Sequence, residues 1–220
     1  MNIFNKFDLF VFDLDDTLIK TEIYHYKAWL NTLRLFLSSD FHFSFDDFFS
    51  IFHSIKQDSI KNYLVNDLKI ENYEDVIKTK NNLYYNLINE NKNELKMVDG
   101  AHEFIQQILK NNKKFVIVTN SPKEQIDFLS DLFIILKKST KNYYREMFKN
   151  KKPNPECYLK VINDFPKERI VGFEDSITGI HSMTQTDIFT YYINNSNYYH
   201  HMYILNNYKV IPVNNYFVLL

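Results

Sequence analysis

Between residues 7 and 14 the chain reads Phe-Asp-Leu-Phe-Val-Phe-Asp-Leu, and it ends there on two carboxylates one residue apart, Asp13 and Asp15, with the hydroxyl of Thr17 two positions on. An apolar run without regular polar alternation is the mark of a strand buried on both faces, the strand type of a parallel sheet. Side chains along a strand alternate faces, so Asp13 and Asp15 share a side. Past the strand end, the chain can curl both around one small ligand. Buried like charges that close raise each other's pKa unless a cation neutralises them, so the pair points to a divalent ion. Taken alone, the same Asp-x-Asp is also ordinary turn and N-cap chemistry for a following helix.

Helical spacing follows over 19–37, where Ile23, Tyr26, Leu30, Leu33 and Leu37 recur on one face, and again over 45–51, 59–68 and 73–88. No strand pattern interrupts this stretch. Near Val98-Asp99-Gly100 the pattern changes. Helices are predicted over 101–109, 121–129, 154–162 and 176–183, and strands over 114–119, 132–136, 169–173, 188–193 and 208–213. Alternating strands and helices predict an α/β fold with a parallel sheet and right-handed crossovers. The helical block interrupts that unit after its first strand. The expected division is 1–18 with 99–220 for the sheet-bearing core and 19–98 for an all-helical insertion.

Ligands of an open parallel sheet bind beyond the carboxyl ends of the strands. Three strands finish in polar residues at that edge: Asp13-Leu14-Asp15, Thr119-Asn120-Ser121 and Glu174-Asp175. The insertion leaves from the same edge and is expected to act as a lid.

Composition narrows the classes. With 220 residues, 45% of them hydrophobic, the chain can bury one full core and a small accessory domain. A formal net charge of -1 gives no electrostatic footprint for nucleic acid. The lysines gathered between Lys137 and Lys152 read as a solvated face. A single cysteine, Cys157, excludes an internal disulfide framework, fits a reducing compartment and reads as a half-buried helix residue. No apolar run reaches membrane-span length, and the chain enters a strand at once without a signal-peptide pattern, so a cytoplasmic protein without nucleic-acid or membrane partners is expected. Glycine occurs only 3 times, so Gly100, Gly172 and Gly179 are expected where the backbone needs its freedom.

Phosphoryl transfer through a covalent intermediate needs a carboxylate nucleophile, an acid/base, a metal, and cations or donors around the phosphoryl oxygens. The chain offers a candidate for each. Asp13 would be the nucleophile. Asp15, displaced to one side, would protonate the leaving oxygen and later deprotonate water. Thr119, Asn120 and Ser121, with backbone N–H groups at a helix start, would cradle the oxyanion. Lys152 beside Pro153 offers a fixed positive charge, and Glu174 and Asp175 would complete a magnesium shell with Asp13 and the Asp15 carbonyl oxygen. Singly, each segment is also a sound cap or turn. Four of them in order, three at strand ends, are poorly explained as independent accidents.

Asp13-Leu14-Asp15-Asp16-Thr17, Val118-Thr119-Asn120-Ser121, Lys152-Pro153 and Gly172-Phe173-Glu174-Asp175-Ser176-Ile177-Thr178-Gly179-Ile180 together resemble the four motifs of the haloacid dehalogenase-like hydrolase superfamily. Within it the chain is similar to the branch with a helical cap after the first motif, which includes β-phosphoglucomutase and many sugar-phosphate phosphatases. The resemblance implies a Rossmann-like core, aspartate-nucleophile chemistry with Mg2+ and a small phosphorylated substrate contacted by Thr17. Glu22 to Trp29 is similar to the first cap helix of the mutase, which implies that His25 helps position the acid/base aspartate. By the same resemblance Lys80 falls at the substrate and Lys56 near a phosphate-binding arginine.

The chain also departs from the mutase. Asp16 stands where many relatives have glycine, Pro122-Lys123 replaces a Lys-Asn pair, and Phe52-His53-Ser54-Ile55 replaces a glycine-rich hinge. A magnesium-dependent phosphatase of a small phosphorylated metabolite, such as a sugar phosphate, is therefore expected ahead of a phosphomutase. A non-catalytic binding relative is the remaining alternative.

Overall fold

In the computed structural model, which describes residues 2–52, 59–194 and 198–220, the first apolar run forms a strand buried along its whole length. Six strands, β1 (Leu9–Phe12), β2 (Lys114–Val118), β3 (Lys141–Tyr143), β4 (Ile170–Glu174), β5 (Phe189–Ile193) and β6 (Ile211–Val213), form one sheet in the order β3-β2-β1-β4-β5-β6. Every neighbouring pair is parallel. The register matters for function. Phe12 lies opposite Ile117 and Phe173, so β1, β2 and β4 end within one residue of one another. Asp13, Thr119 and Glu174 consequently emerge at one edge.

The alternation along β1 explains how both faces are covered. Leu9 and Val11 join Val116, Val118, Tyr143, Tyr158, Val161 and Met183 in one buried cluster. Phe10 and Phe12 point the other way into an aromatic cluster, where the Phe12 and Phe173 rings stack at 4.7 Å and Phe104 meets Tyr216 at 5.3 Å. A Phe-rich strand is thus packed ring to ring, the geometry in which aromatic pairs gain beyond their buried area.

The chain divides into two units, one made of Met1–Lys20 with Lys96–Leu220 and the other of Thr21–Leu95. The first unit begins with α1 (Ile3–Lys6), capped by Asn2, where the sequence suggested direct entry into a strand. Among the described residues the second has only helical regular structure, with α2 (Glu22–Phe36), α3 (Phe45–Phe52), α4 (Ser59–Asn62), a π-helical turn at Tyr63–Asp67 and α5 (Tyr73–Glu90). α2 and α5 pack together. Trp29, Leu33, Phe43, Phe48, Phe49, Leu64 and Val76 form this unit's core.

In the first unit the connections after β1 are helical: α6 (Ala101–Lys110), α7 (Lys123–Leu132), α8 (Glu156–Asp164), α9 (Ile177–Thr184) and α10 (Tyr198–Asn207). Gly100 caps α6 with φ +79°, and a Cβ there would meet the backbone nitrogen of Phe217 at 2.7 Å. For Gly172, in mid-strand, the reason is space rather than dihedral freedom, since a Cβ would lie 2.2 Å from Met183 Sδ.

Three expectations need correction. The strand predicted over 132–136 is the end of α7 and a 3-10 turn, Ile134–Lys138, in which Ile134 is largely exposed and Leu136 buried. The strand in that place is β3, a three-residue edge strand inside the lysine-rich run, held by the buried ring of Tyr143. The strand predicted over 208–213 shrinks to β6, with the unpredicted α10 before it. Finally, Cys157 is fully rather than half buried, and desolvation pushes its thiol up to about 11. Among the described residues no helix is long and apolar enough to cross a membrane.

Candidate active site

The turn that follows β1 is closed by its own backbone. The N–H groups of Leu18 and Ile19 both donate to the Leu14 carbonyl, and Asp16 N donates to Ile19 O. Asp16 takes a left-handed conformation, φ 52°, which aspartate tolerates better than most residues, so its replacement of glycine is accommodated. This turn places Asp13 and Asp15 differently: Asp13 is buried and Asp15 half-buried.

Asp13 Oδ1 accepts a hydrogen bond from Lys152 Nζ at 2.7 Å. The same ammonium donates to the Val118 carbonyl at 2.8 Å and to Glu174 Oε1 at 2.5 Å, which uses all three of its protons. Burial works against the charge on Lys152, but Asp13 and Glu174 more than reverse it and raise its pKa. Of the lysines from 137 to 152 it is therefore the exception to a solvated face. Its backbone is fixed as firmly. Asn120 Nδ2 donates to Lys152 O and Asn120 Oδ1 accepts from Lys152 N. The Asn120 side chain, expected at the substrate, is thus committed to the backbone of Lys152.

Glu174 is fully buried at the end of β4. Besides Lys152, Oε1 accepts from the Tyr158 hydroxyl at 2.7 Å, and Oε2 accepts from Asp175 N, Ser176 N and Ser176 Oγ. Desolvation, then Glu174, push the Tyr158 phenol well up, so it remains a donor. Gly179, near the start of α9, makes room for this carboxylate: a Cβ there would lie 1.8 Å from Glu174 Oε1. Asp175 Oδ1 accepts from Thr17 Oγ1 at 2.7 Å, and Tyr216 donates to the Thr17 carbonyl. Thr17 thus touches Asp175 rather than standing alone toward a substrate.

Asp13, Glu174 and Asp175 can bring one carboxylate oxygen each within 4.8 Å of one another. Desolvation raises Asp13 well above the usual carboxylate range, with Lys152 pulling it back and Glu174 and Asp15 adding repulsion. Asp175 is raised by desolvation, then by Asp13 and Glu174. Three hard oxygen donors whose charges repel suit a small divalent cation, which would relieve that repulsion. The donor set fits Mg2+.

The carboxylate of Asp15 faces the second strand end. Ser121 Oγ donates to Oδ2 at 2.7 Å, and Gln125 Nε2 lies 2.8 Å from Oδ1 and 3.0 Å from Oδ2. Thr119 Oγ1 accepts from Ser121 N at 2.9 Å, which shapes the loop. Gln125, Tyr158 and Tyr216 escape a reading of the motifs. A buried glutamine beside Ile126 on α7 is a visible anomaly in an otherwise amphipathic pattern. Tyr158 and Tyr216 look like any other core aromatic until their hydroxyl partners are seen.

Of the remaining expected residues, His25 and Lys80 belong to the helical unit. Lys80 is 8% exposed, and its Nζ donates to His25 Nδ1 at 2.9 Å while lying over the rings of Tyr84 (4.9 Å) and Trp29 (5.8 Å). The His25 ring stacks on Tyr84 at 4.1 Å. Aromatic faces and one imidazole nitrogen thus hold a buried ammonium. Lys56, with His53, Ser54 and Ile55, lies outside the described residues.

Residues 7–185 match the haloacid dehalogenase-like hydrolase family. An uncharacterized protein of Haemophilus influenzae is 28% identical over 186 residues, 81% of this chain and 86% of that protein. Among solved structures, a variant of CbbY from Rhodobacter sphaeroides in complex with xylulose-(1,5)bisphosphate superposes with a TM-score of 0.78 at 16% identity, covering 96% of this chain and 95% of that one. β-Phosphoglucomutase from Clostridium difficile gives 0.74 at 24% identity, covering 94% and 91%. Both share the fold of this chain.

Proposed function

Because the chain belongs to the haloacid dehalogenase-like hydrolases and carries their enzymatic fold, we propose that it is a magnesium-dependent phosphatase of a small phosphorylated metabolite, of the sugar-phosphate class, working through an aspartyl phosphate on Asp13. The observation that carries this reading is the pairing of Asp13 with Lys152 at the end of β1, beside an acidic cluster and with Asp15 held two residues away. Lys152 opposes the rise that burial imposes on the nucleophile, and a bound cation would add to that effect. Asp13 attacks phosphorus in line, and the bond from phosphorus to the ester oxygen breaks. The departing oxygen takes a proton from Asp15. Asp15 then accepts a proton from water as that water attacks the phosphoryl group and the bond from phosphorus to Asp13 breaks, releasing phosphate and returning Asp13 as a carboxylate and Asp15 as the acid.

Asp13, Glu174, Asp175 and the Asp15 carbonyl would hold Mg2+, which supplies charge neutralisation for the carboxylates and the phosphoryl oxygens. The backbone N–H groups of residues 119–121 and the hydroxyl of Ser121 would cradle the oxyanion. The neighbour crystallised with a sugar bisphosphate supports the substrate class.

The buried His25–Lys80 pair keeps a second reading alive, that of a phosphomutase. Pro122-Lys123 in the loop after Ser121 favours hydrolysis, because it departs from the mutase pattern there. The test is a panel of phosphate esters, including glycerol 3-phosphate, glucose 6-phosphate and β-glucose 1-phosphate, assayed with and without Mg2+ for wild type and Asp13→Asn. Phosphate release that needs both Mg2+ and Asp13 is expected. Release that survives Asp13→Asn would overturn the covalent mechanism, and glucose 6-phosphate formed from the 1-phosphate without free phosphate would establish the mutase instead.

A further inference from the structure

We infer that Gln125 is a positioning residue for Asp15, holding its carboxylate in aim while the hydroxyl of Ser121 serves the phosphoryl group; the inference rests on the phosphotransfer reading above. Asp15 is held by donors from two neighbouring places, Ser121 Oγ on Oδ2 and Gln125 Nε2 across both oxygens. A serine hydroxyl carries a single proton. It cannot donate to Asp15 and to a phosphoryl oxygen at once, so when Ser121 turns to the substrate Asp15 loses one of these bonds. Gln125 Nε2, in reach of both carboxylate oxygens, is a donor that this turn leaves in place.

Its setting suits that task. The side chain is 4% exposed and stands in the first turn of α7, whose Ile126 and Leu129 are buried in the core. The backbone N–H of Gln125 donates to the Pro122 carbonyl at 3.0 Å, which ties the residue to the start of the helix. The amide is therefore presented from a fixed frame, not from the loop that must meet the substrate. A glutamine amide also does not titrate, so it can hold a carboxylate without competing for the proton that carboxylate passes on. A lysine in the same place would compete.

The consequence concerns one kind of step. When the bond between phosphorus and the ester oxygen breaks, an alkoxide needs the proton of Asp15, whereas a nitrophenolate leaves without one. Loss of aim at Asp15 should slow the first case and spare the second. The experiment is single-turnover cleavage, with enzyme in excess, of glycerol 3-phosphate and of 4-nitrophenyl phosphate by wild type and Gln125→Met, a variant of similar length with no donor. We expect about a tenfold or larger loss on glycerol 3-phosphate with less than about a twofold change on the nitrophenyl ester. Gln125→Asn, which keeps the amide but stops one methylene short, should behave the same way and serves if the first variant does not fold.

Equal slowing of both esters, or slowing of neither, overturns the inference, as does failure of both variants to fold. A wild-type protein that cleaves the nitrophenyl ester alone has no acid step to position and overturns it too. Failure of the underlying reading looks different: Asp13→Asn would then cleave both esters as fast as wild type.

Discussion

Gly179→Ala should destabilise the protein, although a helix-propensity argument says the opposite. Gly179 lies inside α9, where replacing glycine by alanine is worth about 1 kcal/mol in favour of the variant. The new Cβ, however, would stand 1.8 Å from Oε1, 2.0 Å from Cδ and 2.2 Å from Oε2 of Glu174. Glu174 has no room to yield at low cost, because Oε1 is held by Lys152 and Tyr158 and Oε2 by the N–H groups of Asp175 and Ser176 and the Ser176 hydroxyl. Moving Oε1 away from the intruding carbon gives up the bonds to Lys152 and Tyr158. Hydrogen bonds to a charged group are worth about 1.5–3 kcal/mol each, so the loss is roughly 3–6 kcal/mol. After the propensity gain the net cost is roughly 2–5 kcal/mol, a large share of the 5–15 kcal/mol typical of a folded domain. Urea denaturation followed by circular dichroism measures it. With a slope of about 2–3 kcal/mol per molar urea, the midpoint should fall by roughly 0.7–2.5 M. A midpoint that is unchanged or higher would refute the reasoning, because it would mean that Glu174 can move without cost.

Asn120→Ala should lower turnover and leave the fold nearly intact, because it frees the backbone of a lysine whose Nζ still touches Asp13; kcat on the best ester, read beside the thermal midpoint, separates the two effects. Stabilisation by Mg2+ should grow with pH. The folded-state pKa values of Asp13 and Asp175 are raised above their unfolded values, so the folded protein binds more protons than the unfolded chain above about pH 4, and without a cation stability falls as pH rises toward the raised values. The cation needs the deprotonated carboxylates, so the midpoint shift on adding Mg2+ in a thermal scan should be small near pH 5 and larger near pH 8. A shift independent of pH would count against the cluster as the binding site.

The sequence exposed the strand ends and the four polar segments because each depends on local rules, an apolar run that stops at a carboxylate or a cap residue before a helix. The register then brings Asp13 and Glu174 level with Thr119 one residue beyond, which a one-dimensional pattern supports only through the assumption of a parallel sheet. β3 was not legible, since three residues with one buried tyrosine carry too little alternation to stand out among lysines. Residues 132–136 misled because five apolar-rich positions fit a short strand and a 3-10 turn equally well. In the site, Asp13, Lys152, Glu174 and Asp175 were readable from motif order, but the commitments of Asn120 to Lys152 and of Thr17 to Asp175 depend on tertiary geometry. Gln125 and Tyr158 lie in helices outside the motifs, and only the fold brings their polar ends to Asp15 and Glu174.

The central claim is that Asp13 carries the phosphoryl group. It is tested most directly by acid quench during turnover of the best ester in the presence of Mg2+, followed by mass spectrometry of the peptide spanning residues 7–20. The account predicts a phosphorylated peptide with the modification on Asp13, present during turnover and absent once substrate is exhausted. Steady turnover with that peptide unmodified at every quench time, or with the phosphoryl group on another residue, would contradict it.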